Sequence, residues 1–139
     1  MSSRPNVVLI FPDGFQGNAI GALGHPDVIT PHLDRLVQNG TTLSNCYING
    51  SSSGAVCIPS RAMMLTGRHL FSLEGTGHRI PEEHVTMPEA FRHVGYDTYI
   101  SGHWHQNLDS LRRSFTHGGY VKGLVGDDGW YEGCDGHWH

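Results

Sequence analysis

Three features of the sequence predict an α/β fold with a largely parallel sheet flanked by helices. They are a continuous apolar run bounded by prolines, two helix starts with recognisable caps, and strand-like segments that alternate with them. Val7, Val8, Leu9, Ile10 and Phe11 show no polar alternation, as expected of a central strand buried on both faces. Thr30-Pro31 reads as an N-cap followed by proline at the first helical position, with Leu33, Leu36 and Val37 as an apolar stripe and Gly40 as the stop. Residues 41–47 carry β-branched and aromatic side chains suited to a strand, and residues 50–54 are small and loop-forming. A helix is predicted over 60–65, ending by Gly67, which puts Cys57 just ahead of a helix N-terminus. Thr86 and Glu89 stand at capping-box spacing before a helix that would bury Met87, Ala90, Phe91 and Val94 and end at Gly95, with a strand following over 96–100. Met63 and Met64 are further core candidates, and Cys46 and Trp130 read as packing residues. From Gly118 onward no periodicity emerges, so residues 118–139 are expected to be irregular.

At 139 residues the chain is one domain or a piece of one, and its 19 glycines and 7 prolines imply many turns. A net charge of -4 with no Lys/Arg run argues against a nucleic-acid surface, which needs a concentrated basic stripe. The N-terminal apolar run is too short and interrupted for a signal peptide or a membrane span, so a cytoplasmic protein without membrane association is expected. Three cysteines, an odd number, do not make a disulfide framework. Eleven histidines are many for this length and are consistent with metal ligation or with polar surface.

In open α/β sheets ligands bind beyond the carboxyl ends of the strands, which directs attention to Asp13, to Cys57 and to Gly102-His103-Trp104-His105. In an extended segment His103 and His105 would share one side, with Trp104 turned away. Cys57 ahead of a helix N-terminus is placed to carry negative charge, and Arg61, one helical turn on, can bring a guanidinium to the same anion. An oxyanion-binding pocket is the natural inference.

Cys57-Ile58-Pro59-Ser60-Arg61-Ala62-Met63-Met64-Leu65-Thr66-Gly67-Arg68 resembles the signature of the type I sulfatases, C-x-P-S-R followed after four residues by T-G-R. Arg4-Pro5-Asn6-Val7-Val8-Leu9-Ile10 leading to Asp13, then Thr30-Pro31-His32-Leu33-Asp34-Arg35-Leu36, then Gly102-His103-Trp104-His105 resemble further family features in the expected order, over residues 4 to 105. The resemblance implies the N-terminal portion of an alkaline-phosphatase-like sulfatase domain, residues 1–117, with residues 118–139 as an irregular segment of the same domain, cut short. It implies oxidation of Cys57 to formylglycine by a maturation enzyme and hydration of that aldehyde to a diol. One diol oxygen would attack the sulfur of a sulfate ester, and the second would expel sulfate afterwards. On the same resemblance Cys57, Arg61 and His105 are catalytic, His103 contacts the sulfate, and Asp13 with the modified Cys57 ligates Ca²⁺, a hard cation better served by a diol than by a thiolate.

Two positions depart from the family pattern. Gly14 stands where a second metal-binding aspartate is usual, and His103 replaces a permanently charged lysine with a group whose charge depends on pH. Asp13 and a modified Cys57 fall short of the six or more oxygens such a cation takes, so the isolated chain is expected to have little or no activity. A truncated sheet would also expose apolar surface and favour self-association. Three alternatives stand beside this reading: a phosphate or phosphonate ester hydrolase of the same superfamily, a catalytically dead homologue, and a zinc module built from His103, His105, Cys134, His137 and His139.

Overall fold

A computed structural model describes residues 4–47, 56–73, 77–124, 127–134 and 137–138, with backbone alone beyond Lys122. The chain divides into two compact units, Met1–Tyr47 and Ile48–His139. In chain order the helices and strands are α1 (Pro31–Asn39), α2 (Cys57–Thr66), α3 (Met87–His93), β1 (Tyr99–His103), α4 (Leu108–Ser114), β2 (His117–Leu124), β3 (Asp127–Cys134) and β4 (His137–Trp138), with short 3-10 turns at Gly21–Leu23 and Leu70–Ser72. No helix among the described residues is long and apolar enough to cross a membrane.

The first unit contains α1 and the turn at Gly21–Leu23, joined by a small polar knot. Thr30 Oγ1 accepts from the amide of Gly21 at 2.9 Å and donates to Asp34 Oδ1 at 2.8 Å, while Ala22 N donates to the same carboxylate at 2.9 Å. Pro31 and Gly40 bound α1 as predicted, but Thr30 holds the neighbouring turn and makes no side-chain cap of its own helix. Gly21 is required there, because an added Cβ would stand 2.9 Å from the Val28 carbonyl and 3.2 Å from Asp34. The expected central strand at residues 7–11 is absent: Val7, Val8, Leu9 and Ile10 are exposed, Val8 to 81%. A strand exists only with a hydrogen-bonded neighbour, and the described residues of this unit include no strand at all. For the same reason residues 41–47 do not form the predicted strand, and Cys46 is exposed instead of packed. The stripe on α1 is likewise open, with Leu36 61% exposed.

The second unit holds the core. Ala62, Met63 and Leu65 of α2 pack with Leu70, Leu73, Ile80, Trp104, Leu111, Phe115 and Val121, and Met64 lies at the edge. Gly67, in left-handed conformation at φ 65°, ends α2 with its amide on the Met63 carbonyl, as the sequence anticipates. The sheet order is β1-β2-β3-β4. β1 and β2 are parallel, Tyr99 opposite His117 and His103 opposite Lys122, and the connection between them passes through α4. β3 and β4 add antiparallel. The segment expected to be irregular after Gly118 therefore supplies most of the sheet: glycine weakens a strand but does not forbid one that has a neighbour to pair with. The strand predicted over 96–100 starts and ends three residues later.

Around this core, polar groups fix the helices. Arg113 Nη2 donates to the carbonyls of Pro81 at 2.9 Å and His84 at 3.0 Å, while Nη1 donates to Glu82 O at 2.9 Å and lies 3.3 Å from Glu89 Oε2. The predicted capping box of α3 is present in both directions, and Thr86 Oγ1 also meets Ser114 Oγ at 2.6 Å with Thr86 fully buried. Only Pro88 of α3 is buried; Ala90 is exposed, Val94 is 55% exposed, and Phe91 packs edge-on against Tyr96 at 5.1 Å. The apolar face expected of this helix is thus narrower than its sequence suggests, because seven residues give it fewer than two turns to bury. Thr86→Ala removes both the cap and the buried hydroxyl pair, and should lower unfolding free energy by about 1–2 kcal/mol, measured by urea denaturation.

Candidate active site

Cys57 is the first residue of α2, within the helix and not ahead of it as predicted. Val56, the N-cap, is extended and offers no side-chain cap; Ser60 N bonds to Val56 O at 3.0 Å; and the first turn has no acidic residue. Pro59 carries no N–H. The start of this ten-residue helix therefore brings the amides of Cys57 and Ile58 and the positive end of its dipole to the half-buried cysteine, a setting suited to negative charge.

Arg61 lies one turn on, on the same side of α2. Its Nη1 donates to the carbonyl of His103 at 3.1 Å, which joins the helix to the end of β1. A guanidinium has five N–H donors in a fixed fork, so this bond helps to orient the group.

β1 ends at His103, and the chain then turns. Gly102 has φ 110° and His105 has φ 73°, the one left-handed residue other than glycine among those described. The imidazoles of His103 and His105 stack at 4.9 Å between centroids and 28° between planes. Trp104 points the other way and is 2% exposed. The two histidines thus share a side, as expected, but through a turn and not through the extended run that the two-residue spacing suggested.

Gln106 was not anticipated. It is fully buried, and Nε2 donates to the carbonyl of Ile58 at 3.0 Å and, at a longer 3.5 Å, to that of Gly77. A polar residue following two histidines in a loop gives no hint in the sequence of a partner 48 positions away.

Asp13 belongs to the first unit, where it is exposed and followed by Gly14 at φ 64°. Nothing stands within 4 Å of a Cβ built on Gly14, so the backbone conformation and not space favours glycine there. The Cys134 and Trp130 side chains, His137's ring and His139 all lie outside what is described, as does the loop expected over 50–54. Cys46 and Cys57 are free thiols. An open cleft of about 760 Å³ lined by Glu82, Glu89, Arg92, Asp109, Arg112 and Arg113 is separate from these residues and includes none of them.

A helix-terminal cysteine, an arginine one turn on and a pair of stacked histidines are thus brought together on an α/β scaffold. The sequence profile of the sulfatase family matches residues 5–138, and the chain belongs to that family. It is 38% identical over 117 residues to an ulvan-active sulfatase of Formosa agariphila, covering 81% of this chain and 21% of that protein. It is 37% identical over 112 residues to arylsulfatase A of Bos taurus, covering 75% and 21% respectively. An N-acetylgalactosamine-6-O-sulfatase of Bacteroides thetaiotaomicron is 33% identical over 114 residues, covering 77% of this chain and 22% of its own length. The chain thus spans about a fifth of the length of the relatives it matches. No solved structure matches it.

The left-handed conformation at His105 yields a direct check. His105→Gly should be about 1 kcal/mol more stable than His105→Ala, because both remove the imidazole but only glycine relieves the backbone. Paired thermal melts measure the difference.

Proposed function

We propose that this chain carries the nucleophile-bearing part of a sulfate-ester hydrolase, with Cys57 as the precursor of a formylglycine. The observation that carries the proposal is the placement of Cys57 at the start of α2, with Arg61 on the next turn bonded to the carbonyl of His103 and the His103 and His105 rings stacked. Membership of the sulfatase family supports it.

In this reading a maturation enzyme converts the Cys57 side chain to an aldehyde, which adds water to give two hydroxyls. One hydroxyl oxygen attacks sulfur while the ester's alcohol departs, and the helix terminus and Arg61 stabilise the negative charge that builds at the sulfate oxygens. His105 takes the proton that the attacking hydroxyl loses and gives it to the departing alkoxide oxygen, which leaves His105 neutral and able to act as base toward the second hydroxyl. Removal of the proton from the second hydroxyl then breaks the carbon–oxygen bond to sulfate and restores the aldehyde, so no second attack at sulfur is needed. His103 assists sulfate binding through an imidazole N–H.

Ca²⁺ is the cation the family reading implies, with Asp13 and a diol oxygen as this chain's ligands. Two such donors do not make a calcium site, which takes six to eight oxygens, and the nitrogen and sulfur donors of His103, His105 and unmodified Cys57 are too soft to complete one. No step is therefore routed through the cation, and turnover of an aryl sulfate by the 139-residue chain alone is expected to be negligible. The exposed Val8, Ile10 and Leu36 favour self-association of the isolated chain, which sedimentation would detect.

Peptide mass spectrometry after co-expression with a formylglycine-generating enzyme tests the central claim. The Cys57 peptide is expected to carry the aldehyde or its hydrate, and Arg61→Ala is expected to abolish or strongly reduce conversion if that enzyme reads the cysteine-proline-arginine segment. A thiol that persists while a control sulfatase is converted would overturn the reading. His103→Lys, which places a permanent positive charge at the end of β1, should raise sulfate affinity measured by calorimetry, and an unchanged affinity would remove His103 from the sulfate site.

A further inference from the structure

We infer that Gln106 is a positioning residue that sets the distance and angle between the Cys57 end of α2 and the histidine-bearing turn after β1; this rests on the reading of Cys57 as the nucleophile. Its position links the two elements directly. Gln106 follows His105, and Ile58, whose carbonyl accepts from Gln106 Nε2 at 3.0 Å, follows Cys57. A carbonyl oxygen has two lone pairs, so Ile58 can serve the helix ladder and the glutamine together.

A second bond joins the same two elements in the opposite sense. Arg61, on α2, donates to the carbonyl of His103 at 3.1 Å, whereas Gln106, on the turn, donates to the carbonyl of Ile58. One bond allows a helix to pivot about it; two bonds from successive turns of the helix restrict rotation as well as separation. The glutamine bond is the protected one, since Gln106 is fully buried and Arg61 is not. The low-dielectric setting around the buried amide strengthens it.

The choice of residue points away from simple packing. Glutamine is seldom fully buried. Gln106 Oε1 is buried and has no hydrogen-bond partner among the described residues, an arrangement that works against stability. A leucine of similar size would fill the space without that cost. What leucine would lack is a donor for Ile58 and Gly77. The amide also lies beside the left-handed His105, so the turn that carries strain is held on its far side by the bond to α2.

The test compares the unaltered 139-residue chain with Gln106→Leu and Gln106→Glu by hydrogen exchange and by the alkylation rate of Cys57 between pH 5 and pH 9. Gln106→Leu should speed exchange at the Ala62 amide at least tenfold and change the Cys57 alkylation rate at least threefold, with the amides of α3 and α4 unaffected. Gln106→Glu should behave like the unaltered chain at the acid end, where the protonated acid can donate to Ile58, and lose protection at the alkaline end, where a carboxylate faces two carbonyls. A structural filler would instead loosen α2, α3 and α4 together at the alkaline end, since a buried carboxylate costs stability whatever the residue's role. If Gln106→Glu fails to fold, the Gln106→Leu comparison decides alone. Unchanged exchange in α2 of the leucine variant, or equal loosening of α2, α3 and α4, would overturn the inference. Formylglycine conversion in the unaltered chain is scored separately: a tether confirmed by exchange alongside a Cys57 that is never converted would remove its catalytic purpose while leaving the geometry standing.

Discussion

The burial of Trp104 is the constraint on which the second unit depends. Its backbone amide bonds to Lys122 O in β2 at 3.0 Å, its indole Nε1 reaches Asn107 O and Ser110 Oγ at the start of α4, and its ring meets Phe115 edge-on at 5.4 Å. A tryptophan can be fully buried only if its N–H finds an acceptor, and here that acceptor is the next helix. One residue, through its backbone amide and its indole, therefore joins the strand it follows, the neighbouring strand and the crossover helix. Because Trp104 points inward, the histidines on either side of it are turned outward.

Hydroxyls and guanidinium groups do the remaining work between helices, where apolar contact is thin. Thr86, Ser110 and Ser114 are fully buried, and each hydroxyl has a partner: Thr86 with Ser114, Ser114 on the Ser110 carbonyl, and Ser110 on the Asn107 carbonyl. Arg113 collects the carbonyls of Ile80, Pro81, Glu82 and His84, and Arg92 does the same for Arg112 and Arg113 in the last turn of α4. Buried polar groups arranged in this way specify one geometry, since each would be left unsatisfied in any other.

The candidate active site inherits its order from these contacts. Cys57 is fixed by the start of a helix whose other face is core, and the histidine pair is fixed by a turn anchored on Trp104. Arg61 and Gln106 connect the two. The chemistry proposed for the cysteine asks for such an arrangement, because a nucleophile and a proton carrier must stay in register while charge builds on a third group between them. The open apolar residues of the first unit, Val7 to Ile10 and Leu36, contrast with this ordered centre.

The sequence by itself determined the local: the proline and glycine that bound α1, the capping box of α3, the glycine stop of α2, and the sulfatase signature that makes Cys57 and Arg61 the candidates. These follow from neighbours within a turn or two, where spacing decides contact. Strands were less legible. Residues 7–11 look like a strand and are not one, whereas the glycine-rich stretch after residue 117 looks irregular and forms three strands, since a strand is decided by a partner distant in sequence. The inward Trp104, the left-handed His105 and the buried amide of Gln106 were settled only by tertiary structure, because each depends on donors, acceptors and space brought together from several elements at once.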